Sequence, residues 1–163
     1  MRQLIGFPSQ VNEKAARTVA AVVALACATV LVTGWYWLLI PVAYGFVARV
    51  LTGPRLSPLG ALAQRVIAPR FLGTPKLVPG PPKRFAQGIG AFVTVTASVG
   101  VLGFGLVGFA NALLGMMVLF AGLEAITAFC VGCRIFAGLM RVGLVPQTAC
   151  EACNDLTLLR QAA

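Results

Sequence analysis

The stretch that decides the fold is residues 85–123, FAQGIGAFVTVTASVGVLGFGLVGFANALLGMMVLFAGL, which contains no Asp, Glu, Lys or Arg. A helix needs about 20 apolar residues to cross a bilayer, so this stretch and its flanking residues are long enough for two spans joined by a tight turn. Residues 18–48 also lack charged side chains and predict a second hairpin of the same kind. Four membrane-spanning helices are therefore expected.

The composition of the whole chain supports a membrane protein. Its 163 residues are 59% hydrophobic and 10% charged, with a mean hydropathy of +0.91, which leaves too few polar side chains to cover a soluble globule. There are no histidines and four acidic residues, which removes most general bases, carboxylate pairs and histidine metal ligands. The predicted fold class is an all-α membrane protein of two helical hairpins with short cytoplasmic interfacial helices.

The basic residues predict the orientation in the membrane. All thirteen Lys and Arg lie outside the two apolar runs, and the hairpin turns around Gly34 and Gly105 carry none. By the positive-inside rule, both termini and the central loop face the cytoplasm. The net charge of +9 is therefore interpreted as a topology signal, and the expected partner is the lipid bilayer and not a nucleic acid.

The predicted boundaries divide the chain into a membrane domain, residues 1–141, and a cytoplasmic tail, residues 142–163. The four spans are expected at about 14–33, 36–51, 84–102 and 107–129. The loop 53–83 is basic and holds seven of the ten prolines. Within it, Leu59, Leu62 and Val66 repeat at helical spacing, which predicts a short helix on the membrane face.

A faint repeat relates the two predicted hairpins. Shifted by seventy residues, Lys14 aligns with Arg84 and Val19 with Ile89. Two hairpins that enter the membrane from the same side would be related by a pseudo-twofold axis along the membrane normal.

Glu124 is a charged residue inside a predicted span. An unpaired carboxylate in lipid is costly, so its side chain is expected to face protein and to meet a partner. Arg84 and Gln87 are at the same predicted depth and are the expected partners. Such a contact would either lock the bundle or handle a proton, and the sequence leaves both roles open.

Four of the five cysteines form two CxxC pairs, Cys130/Cys133 and Cys150/Cys153, on the predicted cytoplasmic side. Cysteines three apart on a helical turn have Cα atoms about 5–6 Å apart, within the range of a disulfide. Arg134 would stabilise a thiolate in the first pair. The negative C-terminal end of the preceding helix would destabilise the thiolate. The positive N-terminal end of a new helix that starts near Cys133 would stabilise it.

These features favour thiol redox or sulfur relay by Cys130 and Cys133, without a cofactor. The expected partner is a thioredoxin-like protein or a sulfurtransferase, and one cysteine would attack while the other resolves the mixed disulfide. Whether the chain is itself an enzyme, such as a component of a thiol-disulfide oxidoreductase, is left open.

Three other interpretations stay open, two for the cysteines and one for the protein as a whole. The sixteen residues between the pairs fit a four-cysteine zinc site, or a rubredoxin-like iron, in a non-enzymatic accessory or assembly subunit. Its ligands would be Cys130, Cys133, Cys150 and Cys153. A component of a small-solute transporter is a third function, in which a homo-oligomer or a membrane complex would supply further spans. The cysteines could also serve only as small packing residues.

Three motifs, in order, resemble those of a known family. They are Pro54-Arg55-Leu56-Ser57-Pro58-Leu59-Gly60, then Pro82 with Arg84-Phe85-Ala86-Gln87, then Phe129-Cys130-Val131-Gly132-Cys133. Over about residues 12–141 the chain resembles the bacterial integral membrane proteins of DUF4395, a family common in actinobacteria.

The resemblance implies a four-span protein of the bacterial inner (plasma) membrane with a cysteine pair after the last span, and no established activity. The family tends to have an aromatic residue, often Tyr, three residues after the second cysteine. Phe136 stands there in this chain, which argues against a role for a phenol hydroxyl. Cys150 and Cys153 lie outside the family core.

Overall fold

The computed structural model describes residues 10–53, 56–67, 70, 73–74 and 76–146, and this part of the chain is mostly helical. Its elements in chain order are β1 (Gln10–Asn12), α1 (Glu13–Thr33), a 3-10 turn (Tyr36–Leu38), α2 (Leu39–Thr52), α3 (Pro58–Leu62), a π-helical turn (Ala63–Ile67), β2 (Leu77–Pro79), α4 (Gly80–Ser98), a second π-helical turn (Val99–Gly103), α5 (Val107–Thr127) and α6 (Val131–Arg141).

Among the residues that the structure describes, three helices are long and apolar enough to cross a membrane: Glu13–Thr33, Gly80–Gly103 and Val107–Thr127. The helix Tyr36–Thr52, where the second span was expected, is apolar but shorter. Large apolar side chains on these helices are exposed, as Val32 (86%) and Ile126 (78%) show. Lipid, as the solvent, accounts for such exposure.

The predicted hairpins are not the packing units of the bundle. Helix α1 packs along α5 and α2 along α4, whereas the consecutive helices α1 and α2 make few contacts. A shift of seventy residues would align α1 with α4 and α2 with α5, and the pairings of α1 with α5 and of α2 with α4 are compatible with that alignment. A Cβ on Gly90 of α4 would lie 2.3 Å from Cε1 of Phe46 on α2, so this glycine allows the close approach of the two helices.

Helix α4 begins four residues before the predicted start of the third span. Pro81 and Pro82 lie in its first turn, where a proline's missing N–H is not needed for the helix. The earlier start places Lys83 inside the helix, one turn before Gln87 and on the same face.

The central loop is also more ordered than the sequence indicated. The short helix predicted after Pro58 is present as α3 and the π-helical turn that follows it. A strand pair was not predicted: β1 runs antiparallel to β2 with Val11 opposite Val78. An ion pair between Glu13 and Lys76, 3.4 Å apart, ties the start of α1 to the same loop.

Helix α5 ends at Thr127, two residues before the predicted limit, because Ala128 adopts a left-handed conformation (φ 61°). The backbone N–H of Ala128 donates to the carbonyl of Glu124 at 3.0 Å. Arg17 of α1 donates from Nε and Nη2 to the carbonyl of Ala125, and from Nη2 to that of Ile126. The guanidinium of Arg17 thus binds backbone carbonyls in the last turn of α5 that have no partner within the helix.

Several charged side chains and the first cysteine pair lie at one end of the bundle, which we call the basic end. It carries Arg17, Arg49, Lys83, Glu124 and Cys130, which are joined by hydrogen bonds or line two neighbouring cavities. At the other end the hydroxyl of Tyr36 donates to Oδ1 of Asn111 at 2.9 Å.

Candidate functional site

The cysteine pair lies at the start of α6. Cys130 is the N-cap of this helix, and its Sγ accepts a hydrogen bond from the backbone N–H of Cys133 at 3.4 Å. The Sγ of Cys133 lies 2.7 Å from the Sγ of Cys130 and donates to it. Both are free thiols, Cys130 buried and Cys133 half-buried. The two sulfurs therefore have the proximity that disulfide formation needs.

The break between α5 and α6 decides the electrostatics of these thiols. Since α5 ends before Cys130, the pair lies at the positive N-terminal end of α6 and not at the negative end of α5. The hydrogen bond from the Cys133 thiol lowers the pKa of Cys130, and this effect outweighs burial, which raises it. The same hydrogen bond, together with burial, raises the pKa of Cys133. These directions favour a thiolate on Cys130, with the thiol of Cys133 as its hydrogen-bond donor.

A buried ion pair adjoins the two sulfurs. The Nζ of Lys83 and Oε1 of Glu124 are 2.5 Å apart, with side chains only 9% and 17% exposed. The positive charge of Lys83 lowers the pKa of both thiols, and the negative charge of Glu124 raises both. The ion pair therefore places opposing charges next to the thiol pair.

The predicted partners of Glu124 are wrong. Arg84 is exposed and its Nε donates to the carbonyl of Val50 at 3.1 Å, while Oε1 of Gln87 accepts from Nε of Arg49 at 2.8 Å. The partner is Lys83, because the earlier start of α4 turns Lys83 and not Arg84 towards α5.

Arg134, expected to stabilise the thiolate, lies with its guanidinium 5.2 Å from the centroid of the Phe129 ring. The cation whose charge acts on both sulfurs is Lys83. The thiolate-stabilising role of Arg134 thus stays a prediction, whereas Lys83 is a residue that the sequence reasoning did not single out.

Helix α4 supports the cysteine pair from behind. A Cβ on Gly132 would lie 2.6 Å from Cβ and 2.7 Å from Cα of Ala86, so the backbones of α6 and α4 are in close contact here. One helical turn further on, the rings of Phe85 and Phe136 have centroids 5.6 Å apart. Phe136, three residues after Cys133, thus makes an apolar contact with Phe85 of α4.

Cys130 faces a cavity of about 100 Å³ between α1, α2, α4, α5 and α6. Glu124, Gln87 and Gly132 line it together with apolar side chains such as those of Phe46 and Met117. A small group could thus approach Cys130 from inside the bundle.

The four-cysteine metal site is incomplete in the part of the chain that the structure describes. Cys150 and Cys153 lie outside the described residues, and within residues 10–53, 56–67, 70, 73–74 and 76–146 there is no cluster of three or more metal-ligating side chains. The zinc or iron alternative stays a prediction that depends on the tail.

Arg49 is a second residue that the sequence reasoning did not single out. Its side chain is buried, donates from Nη1 to Oγ of Ser57 at 3.2 Å and from Nε to Gln87, and lies over the ring of Phe46. Ser57 and Gln87 each belong to a motif quoted above, and these motifs meet at Arg49. The sequence contains no direct signal for this contact, because Arg49 lies 38 residues from Gln87 in the chain.

Comparison with protein families gives a match to the model described as Domain of unknown function (DUF4395) over residues 11–141. Comparisons with curated proteins and with solved structures give no match.

Proposed function

The chain belongs to the family described as Domain of unknown function (DUF4395), a membership that brings no activity with it, and we propose that it exchanges electrons through Cys130 and Cys133 with a dithiol or sulfur-carrying protein. The observation that carries the proposal is the pair of adjacent sulfurs, 2.7 Å apart, at the N-terminus of α6. Low-pKa thiols at such positions are the reactive members of CxxC motifs.

We further propose that the protein crosses the bacterial inner membrane four times. The three long apolar helices and the shorter Tyr36–Thr52 would be the spans, since both the bundle's basic end and the charge-free turns fit this topology. The basic end then faces the cytoplasm with both termini. There a thioredoxin-like protein or a sulfurtransferase could reach the cysteines.

The chemistry follows from the unequal pKa values of the two thiols. The Cys130 thiolate attacks one sulfur of a partner disulfide, forms a mixed disulfide and releases the other sulfur as a thiolate. Cys133 then loses its proton and attacks Sγ of Cys130, which closes the Cys130–Cys133 disulfide and releases the second thiolate. Two electrons pass to the partner, whose thiolates take up the protons. A reduced dithiol protein returns the pair to the thiol state.

A partner persulfide would be attacked in the same way. The Cys130 thiolate takes the terminal sulfur, and the partner's thiolate leaves. Attack by Cys133 on Cys130 then expels hydrosulfide and closes the same disulfide. The cavity of about 100 Å³ at Cys130 leaves room for such a transferred sulfur atom.

Trapping of the mixed disulfide tests the roles of the two cysteines. With glutathione disulfide as the probe, Cys133→Ser is expected to accumulate glutathione on Cys130, because no resolving thiol remains, and Cys130→Ser is expected to accumulate little. All variants are made in a Cys150→Ser/Cys153→Ser background, so that the first pair is the remaining CxxC motif and an adduct is not formed on the second pair. This double variant, with Cys130 and Cys133 both present, is the control and is expected to accumulate little adduct. The adduct is measured by intact mass.

The pH dependence of the alkylation of Cys130 gives the direction in which its pKa is shifted. Because the pKa of Cys130 is lowered, its alkylation should persist below the pH of about 8.5 at which an ordinary thiol is half ionised, and should fall only as the pH drops through the lowered value. Cys133→Ser replaces the thiol that donates to Cys130, and this changes the pKa of Cys130 in that variant. The direction of the shift is therefore measured in the wild type. A wild-type midpoint at or above that of an ordinary thiol contradicts the assignment.

A further inference from the structure

A second cavity, of about 50 Å³, lies at the basic end next to the cysteine cavity. Its polar lining consists of Asn12, Arg49, Gln64, Lys83 and Gln87, and no carboxylate of the described residues lines it. A single water needs about 10–15 Å³, so there is room for one small polyatomic group. The lining thus offers two cations and three amides and no anion.

Arg49 is a buried cation without a balancing charge in the described part of the chain. Its residue surface is 6% exposed, and its hydrogen bonds go to the neutral side chains of Gln87 and Ser57. Both carboxylates of the described residues are engaged elsewhere, Glu13 with Lys76 and Glu124 with Lys83. Buried charges in proteins are paired, so Arg49 requires a counter-ion.

The guanidinium is held in one orientation with one nitrogen left over. Nη1 lies 3.3 Å from the position of a Cβ on Gly45, and Cζ is 4.6 Å from the centroid of the Phe46 ring. Nε and Nη1 are bonded, whereas the buried Nη2 has no hydrogen-bond partner among the described residues. A planar guanidinium fixed in this way binds phosphate and similar oxyanions well.

We propose that this cavity binds a phosphate group, or a similar tetrahedral oxyanion, as the counter-ion of Arg49. Nη2 of Arg49 contacts the anion, and the amide groups of Gln64 and Gln87, which carry N–H donors, complete its shell. Lys83, although paired with Glu124, adds positive potential. The group is either free phosphate or the phosphate of an anionic lipid, since the cavity lies at an end of the bundle.

The site is tested on the full chain, purified in an uncharged detergent and stripped of lipid. One arm titrates inorganic phosphate by calorimetry and by the shift in melting temperature. The other compares nanodiscs of phosphatidylglycerol with nanodiscs of phosphatidylcholine, and measures retained lipid by native mass spectrometry. Saturable binding of phosphate identifies a free anion, and retention of phosphatidylglycerol alone identifies a lipid headgroup; either supports the proposal.

Three variants make the test specific. Arg49→Gln is expected to weaken binding about 10-fold or more, since a charged hydrogen bond is lost. Gln64→Ala, which leaves the contacts of Arg49 intact, is expected to weaken it several-fold and keeps the test valid if Arg49→Gln fails to fold. The control Arg65→Gln removes the same charge from an exposed position nearby and should bind as the wild type.

Three results would overturn the proposal. The wild type could bind neither phosphate nor phosphatidylglycerol. Arg65→Gln could lose as much affinity as Arg49→Gln, which would reduce the effect to general attraction. Binding could also appear only after Glu151→Gln and Asp155→Asn are introduced, which would assign the cavity to a carboxylate of the chain's own tail. Since Cys130→Ser should leave anion binding unchanged, failure of the thiol chemistry is distinguishable from failure of this site.

Discussion

Replacing Gly132 with alanine is expected to destabilise the protein and to displace the cysteine pair. The new methyl would lie 2.6 Å from Cβ and 2.7 Å from Cα of Ala86, and a backbone atom cannot move aside as a side chain can. Overpacking of this kind costs about 1–3 kcal/mol of unfolding free energy. The measurement is unfolding in mixed detergent micelles, with the yield of the Cys130 mixed disulfide as a second readout.

Gly138 provides the matched control on the same helix. A Cβ there meets nothing within 4 Å, so Gly138→Ala should be neutral or stabilising by up to about 1 kcal/mol through helix propensity. Ala86→Gly should restore part of the stability of Gly132→Ala, because it removes the Cβ that the new methyl meets. Equal stabilities of Gly132→Ala and Gly138→Ala would mean that α6 does not pack on α4 as described.

Breaking the ion pair beneath the thiols is expected to have the largest effect on stability. Lys83→Met leaves Glu124 buried without a partner, and Glu124→Gln leaves Lys83 buried without a partner. Removal of one member of a buried pair lowers the free energy of unfolding by about 3–5 kcal/mol. The double variant Lys83→Met/Glu124→Gln should recover much of this loss, because no unpaired charge remains. Arg84→Met, an exposed neighbour, should cost little.

The same variants should move the pKa of Cys130 in opposite directions. Lys83→Met removes a positive charge that lowers this pKa, so the midpoint of Cys130 alkylation should rise. Glu124→Gln removes a negative charge that raises it, so the midpoint should fall. Shifts in the same direction, or shifts no larger than that of Arg84→Met, would refute the coupling of the ion pair to the thiols.

The helices could be predicted from the sequence because apolarity is a local property of each segment. Residues 18–48 and 85–123 lack charges, and the turn at Gly34 is present with a left-handed C-cap (φ 69°). The pairing of the helices was not predicted, since it depends on close contacts such as that of Gly90 with Phe46. Hydropathy does not contain that information.

The cysteine motif could be found from its spacing, but its environment could not. The end of α5 depends on Ala128 in a left-handed conformation that alanine does not favour, and on Arg17, which lies 108 residues away from Ala125 in the chain. Lys83 was missed because Pro81 and Pro82 resembled loop residues, although prolines fit the first turn of a helix. Both the end of α5 and the pairing of Lys83 depend on contacts that exist only after the chain has folded.

The most direct test of the thiol-exchange proposal is the native intact mass of the purified protein after equilibration in glutathione redox buffers with zinc supplied. We predict a reversible loss of two hydrogens without bound metal. Cys130→Ser and Cys133→Ser should abolish it, and Cys150→Ser and Cys153→Ser should leave it unchanged. One zinc per chain that requires all four cysteines and prevents the disulfide would contradict the proposal.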